Sequence, residues 1–242
     1  MIKNIPKKIL IIGGNSDLIK PFFTNLNNDL IETLCFGRKD WDLKNPIPPD
    51  SILKEICDFN PNQLIYAAGK NVPNDLTLET KEIINEIVFH FNVNCLSFIS
   101  LVLFLKNELQ INLEAIHVIS SLYGIYGKKT RLPYSVSKHG LEGAIKCLAL
   151  ELENTQIIGY RPGFFQTKMT DKNMSNNQKN NLIKRIPKGR FGQPEEFSNI
   201  LLSNILNNNY YLNGTCINID GGISCGGFFE LWSTKIMELK KK

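Results

Sequence analysis

A tyrosine and a lysine four residues apart, Tyr134 and Lys138, form the pair in this sequence best suited to transfer a proton. On a helix this spacing places both side chains on one face, where the ammonium favours the phenolate and lowers the pKa of the tyrosine toward neutrality. A general acid works best with such a pKa. Ser121, thirteen residues earlier, could hold a carbonyl oxygen beside the phenol. The pattern predicts proton exchange with a carbonyl or alcohol oxygen; a half-exposed aromatic beside a solvated lysine is the alternative for the pair alone.

Short apolar runs, several of which end at glycine, predict the strands of a parallel sheet. They cover 9–12, 31–36, 63–68, 116–121, 155–160 and 216–220. Segments of helical length lie between them, over 17–27, 80–108, 134–153 and 194–207. This alternation predicts a single domain, 1–242, with a Rossmann-like, doubly wound parallel sheet in a three-layer α/β/α fold. Such folds bind ligands beyond the carboxyl ends of their strands, which is where Ser121 is expected.

Composition argues against several other classes of protein. The 242 residues have a net charge of +5, but the basic residues are scattered, which disfavours nucleic-acid binding. The charged start of the sequence leads straight into the run 9–12, with no apolar stretch long enough for a leader or a membrane span, so a cytoplasmic protein that does not contact membranes is expected. Six cysteines without a C-x-x-C pair indicate free thiols, and three histidines without metal-like spacing argue against a metal site.

Two segments fall outside this framework of strands and helices. The stretch from about 164 to 190 contains a polar, Asn- and Lys-rich part and is interpreted as a mobile lid. The tail, about 228–242, is either a short amphipathic helix or a solvated terminus.

Ser120-Ser121 and Tyr134-Ser-Val-Ser-Lys138 resemble the catalytic set of the short-chain dehydrogenase/reductase family, in particular its single-domain members of the 3-oxoacyl-(acyl-carrier-protein) reductase type. The resemblance runs from about Ile9 to Gly222. It implies that Tyr134 is the acid, that Lys138 lowers its pKa and binds the nicotinamide ribose, and that Ser121 orients the carbonyl. It also implies that Asn92 anchors a proton-relaying water; a buried amide that satisfies helix backbone groups is the alternative for Asn92.

The resemblance also implies where a nicotinamide cofactor binds. The first turn, Gly13-Gly14-Asn15-Ser16-Asp17-Leu18-Ile19, lacks two of the three glycines of the family pattern, so the following helix should sit slightly away from the sheet. After the second predicted strand, Arg38 stands where an acidic residue would bind NAD(H), which favours NADP(H) while leaving NAD(H) open. The implied cofactor residues are Gly13, Asn15, Ser16, Asp17, Leu18, Arg38, Asp42, Leu43, Ala67, Ala68, Gly69, Tyr134, Lys138, Pro162, Gly163 and Thr167.

These features favour an NADP(H)-dependent carbonyl reductase that acts on a small-molecule substrate. Its pocket is expected around Tyr123, Tyr126 and the lid. Three cations lie between Ser121 and Tyr134, namely Lys128, Lys129 and Arg131; they suit either solubility or an anionic substrate, such as a carrier-linked one. A homodimer or homotetramer is what the family resemblance implies. A nucleotide-binding scaffold or sensor with little catalysis is the main alternative, and sugar-nucleotide epimerase chemistry is a further one.

Overall fold

Six parallel strands form one sheet in the computed structural model, which describes residues 6–24, 31–207 and 211–226. In chain order the strands are β1 (Lys7–Ile12), β2 (Ile31–Phe36), β3 (Gln63–Tyr66), β4 (Ala115–Ile119), β5 (Gln156–Pro162) and β6 (Thr215–Ile219). Their order across the sheet is β2-β1-β3-β4-β5-β6. The predicted tail at 228–242 lies outside the described residues.

Helices connect the strands. They are α1 (Lys20–Thr24), α2 (Asp50–Phe59), α3 (Thr80–Phe91), α4 (Ser97–Leu103), α5 (Leu132–Glu151), α6 (Lys168–Asn173), α7 (Asn176–Ile183) and α8 (Pro194–Asn207). A π-helical turn, Asn92–Leu96, joins α3 to α4, and a second, Phe104–Glu108, follows α4.

The four inner strands, β1, β3, β4 and β5, are buried on both faces, as in other parallel sheets. Successive side chains of β1 alternate between two hydrophobic clusters: Leu10 and Ile12 belong to one, and Ile9 and Ile11 to the other. The first cluster includes residues of α2, α4 and α5, and the second includes residues of α1 and α8. The prediction of a doubly wound, three-layer α/β fold is therefore confirmed.

The strand order reverses at β1, because the chain passes from β1 to β2 on one side and returns to β3 on the other. Ligands of open α/β sheets bind at such a switch point, outside the carboxyl ends of the strands. Here those ends carry the Gly13 turn after β1 and the segment Ala67-Ala68-Gly69 after β3. The sheet therefore puts the two predicted cofactor segments next to each other.

Several predicted boundaries differ from the structure. The helix expected over 17–27 begins only at Lys20, because residues 16–19 form hydrogen-bonded turns. Strand β3 ends at Tyr66 and β4 at Ile119, each two residues before its predicted end. The sequence analysis did not predict α2, and the segment expected to be a mobile lid contains two helices, α6 and α7. Ser175 begins α7 with a capping box completed by Gln178, which explains how so polar a stretch forms a helix.

The long helical segment Thr80–Glu108 is apolar enough and long enough to cross a membrane by length and composition alone. Half of its most apolar window is buried inside the fold, however. Its inner face packs on the sheet through Phe98, Leu101, Val102 and Leu105. This pattern is that of a core helix covering one face of a parallel sheet.

Candidate active site

Tyr134, Ser121 and Lys138 meet at the carboxyl end of β4. Ser121 is the second residue after the strand, and its hydroxyl acts on the Tyr134 phenol, lowering its pKa, and accepts a hydrogen bond from the backbone N–H of Tyr123 (3.2 Å). Tyr134 lies in the first turn of α5, which begins with Leu132 and Pro133. One turn further, the Lys138 Nζ donates to the carbonyl of Ile119 (2.8 Å) and lies 5.9 Å from the centre of the Tyr134 ring. The predicted trio is thus assembled.

Burial dominates the electrostatics of this trio. Tyr134 is 8% exposed and Lys138 is 3% exposed. Burial raises the pKa of Tyr134, although the hydrogen bond from Ser121 and the nearby charge of Arg131 act in the opposite direction. Burial likewise lowers the pKa of Lys138, to about 8. The expectation that Lys138 brings the pKa of Tyr134 down toward neutrality is therefore wrong in this structure, where the cation that acts on the phenol is Arg131.

Asn92 does not join the trio. Its side-chain Nδ2 donates to the carbonyl of Lys44 (3.0 Å), away from α5. Asn94 takes the expected place instead: it is fully buried, and its Nδ2 donates to the Ser137 hydroxyl (2.8 Å). A π-helical turn adds one residue per turn, so it changes which side chain faces the neighbouring helix, and such turns are frequent at functional sites. Regular helical periodicity could not reveal this change.

Asn94 also holds the segment that follows β3. Its Oδ1 accepts from the Lys70 N–H (2.7 Å), and its Nδ2 donates to the Lys70 carbonyl (3.0 Å). A Cβ built on Gly69 would lie 3.4 Å from Asn94 Oδ1 and 3.7 Å from Lys138 Nζ. Asn94 therefore connects the cofactor-side loop after β3 to the catalytic helix α5.

Tyr66, the last residue of β3, stands where the family pattern has an asparagine. Its hydroxyl donates to the carbonyl of Val93 (3.1 Å), inside the π-helical turn, and its ring packs edge-on against Phe98 with 5.3 Å between ring centres. Full burial raises the pKa of Tyr66, so the phenol stays neutral. Tyr66 thus serves as a structural support for the turn that carries Asn94.

The turn after β1 packs closely against the segment that follows β3. Gly13 has φ +88°, and a Cβ there would lie 2.6 Å from the backbone nitrogen of Ala68. Asn15 lies beside Gly37, since its Nδ2 would be 3.0 Å from a Cβ on that glycine. The exposed Arg38 follows Gly37 at the end of β2. These segments form one edge that could hold a dinucleotide.

The rest of the first turn is bound within the protein. Asp17 Oδ2 accepts from the Lys168 N–H (2.8 Å), which connects the turn to the start of α6, and Asp17 Oδ1 accepts from Lys20 Nζ (3.2 Å). Ile19, which replaces the third family glycine, is fully buried in the second core cluster. The carbonyl of Leu18 accepts from the Ser198 hydroxyl (2.7 Å). A carboxylate therefore stands in a turn that would otherwise favour phosphate.

The remaining predicted cofactor residues are divided between the site edge and the core. Leu43 is buried in the first core cluster, while its neighbour Asp42 is exposed and accepts from the Lys44 N–H (3.2 Å). Gly163 follows β5 so closely against Asp220 that a Cβ would lie 2.7 Å from the Asp220 Cα. Thr167 caps α6, where its Oγ1 accepts from the Thr170 N–H (3.2 Å). Of these residues, Leu43 therefore packs in the hydrophobic core and stabilises the fold.

A cavity of about 690 Å³ opens beside the Tyr134 ring, between the loop after β4 and helix α7. Its walls combine aromatic side chains with cations. The aromatic ones are Tyr123, Tyr126 and Phe164, and the cations are Lys128, Arg131 and Arg185. Tyr123 lines the cavity and packs edge-on against Tyr134, with 6.0 Å between ring centres, so one aromatic ring separates the cavity from the predicted proton donor. No aspartate or glutamate lines the cavity in the part of the chain that the structure describes.

Comparison with known proteins gives matches over most of the chain. A family model described as Enoyl-(Acyl carrier protein) reductase matches residues 65–224. The 3-oxoacyl-(acyl-carrier-protein) reductase of Thermotoga maritima is 38% identical over 107 residues, which are 43% of each chain, so that alignment spans less than half of the relative. The protein of the same name from Rickettsia typhi is 25% identical over 226 residues, covering 92% of this chain and 89% of the relative.

Solved structures match the fold closely. A short chain dehydrogenase family protein from Francisella tularensis has a TM-score of 0.76 at 19% identity, over 90% of this chain and 99% of that one. A 4-hydroxyisoleucine dehydrogenase complexed with NADH has a TM-score of 0.80 at 21% identity, over 91% and 99%. A candidate 2-deoxy-D-gluconate 3-dehydrogenase from Agrobacterium tumefaciens with bound NADP has a TM-score of 0.78 at 21% identity, over 91% and 97%. At these identities the likeness concerns the fold.

Proposed function

The chain belongs to the short-chain dehydrogenase/reductase family, and on that premise we propose that it is an oxidoreductase that interconverts a carbonyl and a secondary alcohol with a nicotinamide cofactor. The observation that carries the proposal is the assembly of Ser121, Tyr134 and Lys138 at one strand end, with Asn94 bound to the same helix. A protein without this chemistry has no need to keep all four polar groups together in a buried place.

The residues present fit a nicotinamide dinucleotide. Gly13, at φ +88°, lets the turn after β1 pack directly against the backbone of Ala68, at the switch point of the sheet where such folds bind dinucleotides. Arg38 is exposed at the end of β2 and suits the 2′-phosphate of NADP(H), so we propose NADP(H) as the preferred cofactor and NAD(H) as the second choice. When bound, the nicotinamide supplies or accepts a hydride at its C4.

The protein's own residues complete the reaction by moving one proton. In the reductive direction the Ser121 hydroxyl holds the carbonyl oxygen beside the Tyr134 phenol. As the carbonyl carbon gains the hydride, the electron pair of the C=O π bond takes the phenolic proton, which leaves an alcohol and a phenolate. Lys138, with a pKa of about 8, can then return a proton to the phenolate and regain it from solvent. Asn94 positions the loop and helix on which these groups stand.

The relatives' names suggest a substrate linked to acyl carrier protein, and the cations around the cavity agree with any anionic substrate. The proposal includes a cytoplasmic enzyme and the homodimer or homotetramer that the family resemblance implies. A nucleotide-binding scaffold is the second candidate. Asp17 is the observation behind this candidate, because a carboxylate in the first turn weakens the hold on the pyrophosphate that rapid turnover requires.

Two measurements with the purified protein separate these candidates. Fluorescence titration with NADPH, with NADH as the control, tests whether a dinucleotide binds. A panel of ketones, aldehydes and 3-oxoacyl thioesters, followed by NADPH absorbance, tests for turnover. Binding with turnover supports the reductase. Binding without turnover on any panel member supports the scaffold, and absence of binding to either cofactor contradicts both.

A further inference from the structure

Arg131 is a buried cation without an acidic partner. Its side chain is only 6% exposed, and it stands just before α5. Its Nη1 donates to the carbonyl and to the hydroxyl of its neighbour Thr130, at 2.9 and 3.4 Å. In the described part of the chain no carboxylate forms an ion pair with it. Burying a charge without a partner is unfavourable, so an unpaired guanidinium that faces a cavity indicates an anionic ligand.

The turn before Arg131 is held in an unusual conformation. Thr130 has φ +64°, a region that a β-branched residue rarely adopts. Its carbonyl accepts from the Asn74 N–H (3.1 Å), and Asn74 Oδ1 in turn accepts from the Leu132 N–H (2.8 Å). The loop after β3 thus fixes the backbone on both sides of Arg131. The guanidinium is consequently held in place before any ligand arrives, which reduces the entropy lost on binding.

The surroundings of Arg131 define what such a ligand looks like. Burial lowers the pKa of Arg131, and no neighbouring carboxylate opposes this effect. The other two cations of the cavity, Lys128 and Arg185, are exposed, so solvent weakens their attraction for an anion. One buried planar fork pairs with one planar carboxylate and balances its single charge, whereas a phosphate monoester carries nearly two charges, more than this one buried cation balances. The aromatic walls accommodate an apolar remainder.

Arg131 also lies close to the reacting groups. It precedes Tyr134 by three residues, and its charge acts directly on the Tyr134 phenol. Arg131 lines the cavity together with Tyr123, whose ring packs against Tyr134, so an anion paired with Arg131 lies on the Tyr134 side of that cavity. A carrier-linked thioester differs in this respect, because the groups next to its carbonyl are neutral and its phosphate is at the far end of a long arm.

We propose that the substrate is a free oxo acid, reduced to the corresponding hydroxy acid, and that Arg131 binds its carboxylate. The inference rests on the proposed function and narrows its substrate class. In the reaction, the ketone carbon takes a hydride from NADPH, the ketone oxygen takes the Tyr134 proton, and NADP⁺ leaves; the carboxylate keeps its charge and its bonds throughout.

The test compares each acid with its uncharged methyl ester. The probes are 2-oxobutanoate, acetoacetate, 4-oxopentanoate, 5-oxohexanoate and 4-oxo-4-phenylbutanoate, each beside its ester. The N-acetylcysteamine thioester of acetoacetate serves as the carrier mimic. At least one acid should exceed its ester in kcat/KM by about 100-fold, since removal of one partner of a desolvated charge pair typically has this effect. Arg131→Gln should abolish most of that preference through KM, and Arg131→Lys should restore part of it. Lys129→Gln, an exposed change outside the cavity lining, is the matched control.

The outcomes separate the two levels of inference. The oxo-acid substrate is overturned if the wild type reduces the esters or the thioester as fast as the acids. It is also overturned if Arg131→Gln keeps the full preference for the acids. Either result leaves the proposed reductase function intact. If no carbonyl compound is reduced at all, the proposed function fails. The role of Arg131 as a carboxylate-binding residue is then tested by a binding measurement. Calorimetric titration of 4-phenylbutanoate should then give binding to the wild type that Arg131→Gln loses; equal binding or none contradicts the assignment.

Discussion

Glu142 on α5 and Arg161 on β5 form a bidentate ion pair, with 2.6 Å between Oε2 and Nη2 and 2.8 Å between Oε1 and Nε. Glu142 Oε1 also accepts from the Ser120 hydroxyl (2.8 Å). Both charged side chains are largely buried. The pair lies one turn beyond Lys138 and fixes the strand end from which Ser121 projects. It is thus a support of the active site that its individual residue types did not reveal.

Glu142→Gln should destabilise the fold, because it leaves the Arg161 guanidinium buried without its counter-charge. The expected loss in the free energy of unfolding is about 3 kcal/mol, measured by urea titration. Glu55→Gln, an exposed change on α2, is the control. The double variant Glu142→Leu/Arg161→Leu should regain most of the loss. A single variant as stable as the wild type would mean that the pair contributes little.

Asn94→Ala should lower kcat by about 10- to 100-fold, since it frees both the Lys70 loop and the Ser137 hydroxyl. Asn92→Ala should remain close to the wild type, because its amide contacts only the Lys44 carbonyl. Steady-state kinetics of both variants, beside their thermal midpoints, make the comparison. A larger loss of kcat in Asn92→Ala than in Asn94→Ala would instead assign Asn92 to the site.

His117 should make the protein less stable as the pH falls below 6.5. Burial lowers the pKa of His117 to about 3, so between this value and the ordinary 6.5 the unfolded chain binds one more proton than the folded one. From pH 7 to pH 5 this difference amounts to about 2 kcal/mol. Urea titrations at both pH values should show a loss smaller by that amount in His117→Asn. Parallel losses in the two proteins would show that His117 is not the cause.

Arg38→Gln should weaken NADPH binding by about 10-fold and leave NADH binding nearly unchanged, because the residue is expected to contact only the 2′-phosphate. Fluorescence titration with each cofactor gives both affinities. Lys54→Gln, exposed on α2, controls for the loss of one positive charge. If the binding of NADPH and that of NADH weaken equally, Arg38 does not contact the 2′-phosphate.

The fold could be predicted further than the site. Strand positions followed from apolar runs such as 9–12 and 116–121, since strands buried on both faces leave a signal in consecutive residues. The spacing of Tyr134 and Lys138 is a separate signal, that of one helix face, and it located the helix that carries both residues. Asn94 could not be separated from Asn92, because a π-helical turn depends on packing against Tyr66 and α5 rather than on local sequence.

The sequence also could not predict which charged residues form ion pairs with residues distant along the chain. Arg131 and Arg161 are both arginines near the site, yet one has a buried glutamate as its partner and the other has no acid in the described chain. Only the positions of α5 and β5 in three dimensions distinguish them. The two helices of the predicted lid begin at the caps Thr167 and Ser175, local signals that the polar composition of the segment obscured.

Single-turnover hydride transfer in Tyr134→Phe tests the central claim most directly. The variant removes one hydroxyl and keeps the ring that packs against Tyr123. Stopped-flow measurement of NADPH oxidation, with a ketone substrate of the wild type, should show at least about a 100-fold slower step at unchanged NADPH affinity and thermal midpoint. Hydride transfer at the wild-type rate in this variant would contradict the assignment of Tyr134 as the proton donor.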